Sequence, residues 1–280
     1  MKKIFPRPFP SLTPFVIDRS GLEVNRLSRF TQPYTLVNDE IAGVSFAAVA
    51  ANSSTEIAMS NGSDGVLELP LFRANATSNA YTVHIKHLTR NIFLMNRPIY
   101  SKNIFGTGGR PLKASYPLYI DLLQSLYVTL TDLSGATNNV RVALDGTKYK
   151  FADANKQLND LSPINKMALP YWYTTDADVT LPASTVETIA YMTISQTEKF
   201  FLDAIRVQST ATFKFKVTDT TTGLSWSNGW VHSDFLNEAE YCIKKHPQLV
   251  EGKLKITMVN LTAGATNNVY FALSGVIYTG

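Results

Sequence analysis

The residue groupings that could perform chemistry are few, and each fails on spacing. Gly106-Thr-Gly-Gly-Arg110 has the glycine density of a phosphate-binding loop. No Lys-Ser/Thr follows where a P-loop needs it, and Pro111 stands in the place of a third dinucleotide-fold glycine, so an exposed turn is expected. His84 and His87 form a His-x-x-His pattern, but on a strand an odd separation sends the two rings to opposite faces, where they cannot share a metal. His232 and His246 have no acidic or histidine partners at ligand spacing, and no HExxH is present. Gly223-Leu-Ser-Trp-Ser227 lacks the closing glycine of a nucleophile elbow, and Glu238 with Glu240 read as solvated surface rather than an acid/base pair. Trp226 and Trp230 offer either a carbohydrate-stacking platform or core and interface packing. Cys242, the single cysteine, excludes an intramolecular disulfide and a Cys-rich zinc site, and is expected to be a buried thiol. The expectation is a non-enzymatic protein with no catalytic, cofactor-binding or metal site and no cofactor.

Composition points to a structural role on an all-β scaffold. Charged residues make up only 17% of the 280 residues, while Thr, Asn, Ser and Ala are abundant, a texture that suits short strands joined by Asn/Gly turns. The net charge of +4 is spread along the chain, so no footprint of specific nucleic-acid recognition is visible. The longest apolar stretch, Ile41 to Ala51, is interrupted by Gly43 and Ser45 and is too short for a transmembrane segment. Met1-Lys2-Lys3 leads into Ile-Phe-Pro-Arg-Pro-Phe-Pro rather than an apolar core, so the N-terminus is expected to be retained and the protein soluble.

An internal repeat organises these residues. LSGATNNVRVALDG at 133–146 recurs as LTAGATNNVYFALSG at 261–275. Upstream, Leu126, Val128 and Leu130 match Leu254, Ile256 and Met258, and Tyr81-Thr-Val-His-Ile-Lys matches Phe213-Lys-Phe-Lys-Val-Thr. Strict alternation marks half-buried strands, and the Gly-Ala-Thr-Asn-Asn turn between the last two predicts that each copy ends in a β-hairpin. Strands every ten residues or so suit a β-sandwich or jelly roll. Because two copies are too few for a solenoid, the pair implies two complete sandwiches side by side.

The expected organisation is an N-terminal arm and lead-in over 1–62, a first sandwich over 63–150, a connector over 151–189 and a second sandwich over 190–280. Ala152 to Leu161 has helical character within the connector. In the arm, Pro6, Pro8, Pro10 and Pro14 alternate with Phe5, Phe9 and Phe15, which excludes a helix and favours an extended segment packed on its own domain or docked on a neighbouring subunit. Tyr171, Trp172 and Tyr173 fall outside the repeat pattern. With Phe5 and Phe9 they are candidate anchors of an interface between copies, since aromatic residues are enriched at the centres of such contacts.

The repeated strand, turn and strand resemble those of phage virion proteins that end a sandwich on a similar hairpin, and the tandem sandwiches with an extended arm resemble the double-jelly-roll major capsid proteins of tailless phages. The resemblance implies a bacteriophage capsid protein that self-assembles, as a trimer by analogy, with other virion proteins as partners. It also implies assembly in the host cytoplasm and residence in the virion. A minor capsid, decoration or head–tail accessory protein, or a carbohydrate-binding adhesin or receptor-binding module, remains the alternative.

Overall fold

A computed structural model describes residues 31–38, 46–150, 168–195, 199–236, 241–242, 248–262 and 264–278. The first ten strands are β1 (Thr31–Val37), β2 (Ala47–Val49), β3 (Ser54–Ser60), β4 (Gly65–Ala76), β5 (Tyr81–His87), β6 (Ile92–Phe93), β7 (Ile99–Tyr100), β8 (Leu112–Ile120), β9 (Ser125–Asp132) and β10 (Asn138–Lys150). They form two antiparallel sheets, one in the order β1-β10-β4-β8 with β2 added to β10, the other in the order β3-β9-β5-β6 with β7 added to β5. The next ten are β11 (Ala168–Thr174), β12 (Val179–Leu181), β13 (Glu187–Thr193), β14 (Lys199–Ser209), β15 (Phe213–Asp219), β16 (Val231–His232), β17 (Tyr241–Cys242), β18 (Gln248–Val250), β19 (Lys253–Asn260) and β20 (Asn267–Tyr278). Their sheets run β11-β20-β14-β17, with β12 on β20 and β18 on β14, and β13-β19-β15-β16. β1 to β5, β9 and β10 recur as β11 to β15, β19 and β20 with the same pairings, whereas the single β8 on β4 is answered by β17 and β18 on β14, and β6 with β7 on β5 by β16 alone on β15. Each chain segment crosses back and forth between its two sheets, which makes each unit a jelly roll.

The repeat places the cores as its alternation requires. Val140, Val142 and Leu144 on β10, Tyr81, Val83 and Ile85 on β5, and Leu126, Val128 and Leu130 on β9 are all buried, as are Val269, Phe271, Leu273, Phe213, Phe215, Val217, Leu254, Ile256 and Met258 in the second unit. The intervening Thr82, His84, Lys86, Lys214 and Lys216 are partly exposed on the opposite faces. The repeated glycine of the Ala-Leu-x-Gly pattern is equally constrained in both copies. A Cβ on Gly146 would strike the carbonyl of Glu68, and one on Gly275 the carbonyl of Phe201, beside matching irregularities where β4 and β14 bulge against β10 and β20.

Two expectations are corrected. The GATNNV turn does not close a hairpin: β9 pairs with β3 and β5, β10 with β1, β2 and β4, and the turn carries the chain from one sheet to the other. The units are also larger than their visible repeat. β1, β2 and β3 precede residue 63 yet belong to the first sandwich, and β11, β12 and β13 lie within 168–193 yet belong to the second. β11 escaped notice because it is buried on both faces and so lacks alternation. The helix expected over Ala152 to Leu161 lies outside the described residues.

The crossing turns explain why Thr-Asn-Asn-Val is repeated. In the first unit Ser78 N–H donates to Asn138 Oδ1 at 3.0 Å and Asn138 Nδ2 donates to the Ser78 carbonyl at 2.8 Å. In the second, Ala211 N–H donates to Asn267 Oδ1 at 2.9 Å and Asn267 Nδ2 donates to the Ala211 carbonyl at 2.7 Å. Each asparagine amide thus imitates one rung of a β-ladder and ties the β9–β10 or β19–β20 crossing to the β4–β5 or β14–β15 crossing. Both side chains are fully buried, so removing either amide strands a backbone N–H and C=O. Asn138→Ala and Asn267→Ala are each expected to lower stability by about 2–3 kcal/mol in urea unfolding. Asn139→Ala, at the exposed second asparagine, is expected to stay within about 0.5 kcal/mol of the parent.

Candidate functional site: the junction of the two sandwiches

The structure scatters the residues singled out for chemistry. On β5, His87 points into the core and His84 away from it, stacked on Phe93 with ring centroids 4.1 Å apart. Burial pushes the His87 imidazole down to about 4, and burial also lowers that of His84. His232 pairs with Asp234 at 3.2 Å. Gly106 is fixed as an edge rung, accepting from Ala74 N–H and donating to the Phe72 carbonyl, and Thr107 and Arg110 close the turn on each other. The Ser225 and Ser227 hydroxyls engage Thr218 and the Gly229 carbonyl. His246, Glu238 and Glu240 lie outside the described residues, and only the strand pairing of Cys242, opposite Ala204, is described. Among the described residues no three His, Cys, Asp or Glu side chains gather as a metal site, and no helix is long and apolar enough to cross a membrane.

What the fold does build is a joint. The β6–β7 loop of the first unit lies along β11, where Trp172 N–H donates to the Leu94 carbonyl at 3.0 Å and Asn96 N–H donates to the Trp172 carbonyl at 3.3 Å. The first unit thereby adds a short parallel rung to the second unit's sheet. Asn96 repeats the ladder imitation beside it: Thr174 N–H donates to Asn96 Oδ1 at 2.9 Å, and Asn96 Nδ2 donates to the Thr174 carbonyl at 3.0 Å. Arg97 follows, donating to the Thr175 carbonyl at 2.9 Å and pairing with Asp178 at 2.9 Å. Since Asp178 is almost fully exposed, the hydrogen bond to the carbonyl carries more of this contact than the ion pair does.

Side chains fill the space beneath these rungs. The Trp172 ring, 1% exposed, meets Phe72 of the first unit edge to face at 5.6 Å. Tyr100 and Tyr270 stack across the joint at 4.1 Å, and Asn103 Nδ2 donates to the Tyr270 carbonyl at 3.1 Å. Burial raises both tyrosine hydroxyls above their ordinary range, keeping the stacked pair neutral. On the other side of β11, Tyr173 packs against Phe200 at 4.9 Å and accepts from Ser195 N–H at 3.1 Å. A cleft of about 870 Å³ opens along the joint, lined by Asn103, Phe105, Lys113, Arg206, Gln208 and Leu236 among others. Its described lining contains no carboxylate, imidazole or thiol to act as a base or nucleophile.

The candidate interface residues therefore divide. Tyr171, Trp172 and Tyr173 are buried within the chain, so their expected role as anchors for a neighbouring subunit is corrected: one face of β11 serves the second core, and the other seals the joint. Phe5 and Phe9 lie outside the described residues. Asn96, Arg97, Tyr100 and Asn103 were missed by sequence reasoning. They span the β6–β7 loop, the end of β7 and the 3-10 turn after it. Asn96 matches Asn228 of the second copy, while Arg97, Tyr100 and Asn103 stand where it has Gly229, His232 and Phe235, and that divergence is the signal that could have found them. Trp172→Ala is expected to cost the chain itself about 3–5 kcal/mol in chemical denaturation, whatever its assembly state. Unchanged stability with lost assembly would contradict this placement.

No protein-family model matches the chain, and no curated protein sequence matches it. Among solved structures, the chain is similar to the major capsid protein P2 from Bacteriophage PM2, at 10% identity over 88% of this chain and 98% of that one, with a TM-score of 0.41. An archaeal virus protein described by its triple jelly roll fold and turret assembly shares 11% identity over 86% of this chain and 61% of that one, with a TM-score of 0.28. A tandem CBM22 domain of Xyn10C from Paenibacillus barcinonensis shares 7% identity over 90% and 94%, with a TM-score of 0.18.

Proposed function

We infer that this chain is a bacteriophage capsid protein, and specifically the major one, built to repeat in a shell. The observation that carries this reading is the joint: two jelly rolls that share their central strand order are welded side by side by main-chain pairing into one unit. A unit with two similar bodies suits closed symmetric assembly, because three copies about an axis set six similar sandwiches in a ring. Such a ring tiles a surface while requiring only one gene product. Among the described residues the chemistry-bearing side chains, by contrast, do not converge. A decoration or head–tail accessory role would use the same unit in fewer copies.

The N-terminal arm completes the reading. Its alternating prolines and phenylalanines disfavour a helix, and on this reading Phe5 and Phe9 serve as anchors on a neighbouring subunit rather than on their own domain. Deleting residues 2–15 is expected to leave a folded chain, with an unchanged circular dichroism spectrum and melting temperature, that no longer forms large assemblies in light scattering and electron microscopy. Normal particles from the truncated chain would overturn the arm's role as a link between subunits.

A further inference from the structure

The duplication supplies an internal control for surface function, because equivalent positions on the two β3-β9-β5-β6 and β13-β19-β15-β16 sheets can be compared by their pairing. In the first unit the outward positions Thr82, His84 and Lys86 of β5 and Ser125 and Tyr127 of β9 carry one lysine; in the second the same positions hold Lys214, Lys216 and Thr218 on β15 and Lys253 and Lys255 on β19, four lysines. Lys216 sits opposite Thr257 and Lys255 opposite Thr218, so the four ammonium groups follow a row along β15 and diagonally onto β19. With i, i+2 neighbours about 7 Å apart, the row is about 20 Å long.

None of these lysines makes an ion pair with a described residue. Three of the four lie over aromatic rings instead: Lys214 and Lys216 at 5.0 and 5.6 Å from the Trp230 ring, and Lys253 at 4.2 Å from that of Tyr191. Carboxylates border the row without pairing with it: Asp219 accepts from Thr221 and Thr222 N–H, Asp176 accepts from Thr193 beside Lys253, Asp234 lies next to His232, Glu251 precedes Lys253 by two residues, and Glu187 stands across Val259 from Lys214 on the edge strand β13. Trp230 and Tyr191 stay 37% and 41% exposed, so ring surface is offered beside the charge.

We propose that this face binds the phosphodiester backbone of single-stranded nucleic acid without regard to sequence. A row of lysines held in no described ion pair and bordered by exposed rings suits such binding, the cations tracking phosphates and the rings stacking bases. A second copy of the chain is a poor occupant by charge. Two such faces would set like charges against each other, and the equivalent face of the first unit offers only Glu56 as an outward carboxylate among the described residues. The inference does not rest on self-assembly, and its test is independent of particle formation.

The test is fluorescence anisotropy of the full chain with a labelled oligothymidine of about thirty nucleotides at about 50 and about 200 mM salt. If four phosphates are neutralised, affinity is expected to fall about fifty-fold between the two conditions. Lys214→Glu with Lys216→Glu is expected to weaken binding at least about tenfold and to flatten the salt dependence, whereas Lys102→Glu on the first unit leaves both unchanged. Lys253→Gln with Lys255→Gln serves as a second, milder pair, and thermal melts establish that each variant folds. Absence of saturable binding at the lower salt, or equal losses with Lys102→Glu, overturns the proposal. So does binding to phosphatidylglycerol vesicles in preference to the oligonucleotide, which would assign the face to a membrane.

Discussion

The two-body unit depends on the exchange of hydrogen bonds between Trp172 and the Leu94–Asn96 backbone. A sheet edge presents unpaired N–H and C=O groups, and an edge buried against another domain must have each of them satisfied. β11 is such an edge, and the β6–β7 loop of the first unit meets the requirement by lying down as a partial strand. Once that rung forms, the Trp172 ring is committed to Phe72, and Tyr100 to Tyr270. The joint combines core-like apolar burial with directional backbone pairing. Interfaces between domains that lack these features permit relative motion, and this one opposes it.

Asparagine performs the same task at three described places where a strand does not supply a rung. Asn96, Asn138 and Asn267 all offer an amide whose C=O and N–H match a backbone peptide, and each exchanges both bonds with a single residue. Asn61 does related work, its Nδ2 lying within hydrogen-bond distance of the Gly65, Ile120 and Asp121 carbonyls. A jelly roll needs such devices because its connections jump between sheets and leave ladder ends open inside the molecule.

Much of this was legible in the sequence, for reasons that differ from residue to residue. Alternation at Tyr81, Val83, Ile85 and their counterparts identified the core faces, because those strands have one wet side. The GATNNV repeat marked equivalent turns but not their kind: a hairpin and a crossing between sheets share turn residues, and the difference lies in which distant strands claim β10. Trp172 stood out as an aromatic without a place in the repeat. Alternation could not say whether its partner was another subunit or the other half of the chain. The joint loop from Leu94 to Asn103 was invisible because its bonding is to β11 and β20, remote in sequence, and its residues have no periodic pattern.

The role proposed for this welded pair of jelly rolls is that of the repeating subunit of a phage shell. It is tested most directly by counting copies of the chain in purified particles, by quantitative mass spectrometry against a labelled standard. The chain is expected to be the most abundant protein of the particle, in a number divisible by three, and to form its outer layer in a reconstruction. A chain present in a handful of copies at one vertex or on the tail, or absent from the particle, would contradict it.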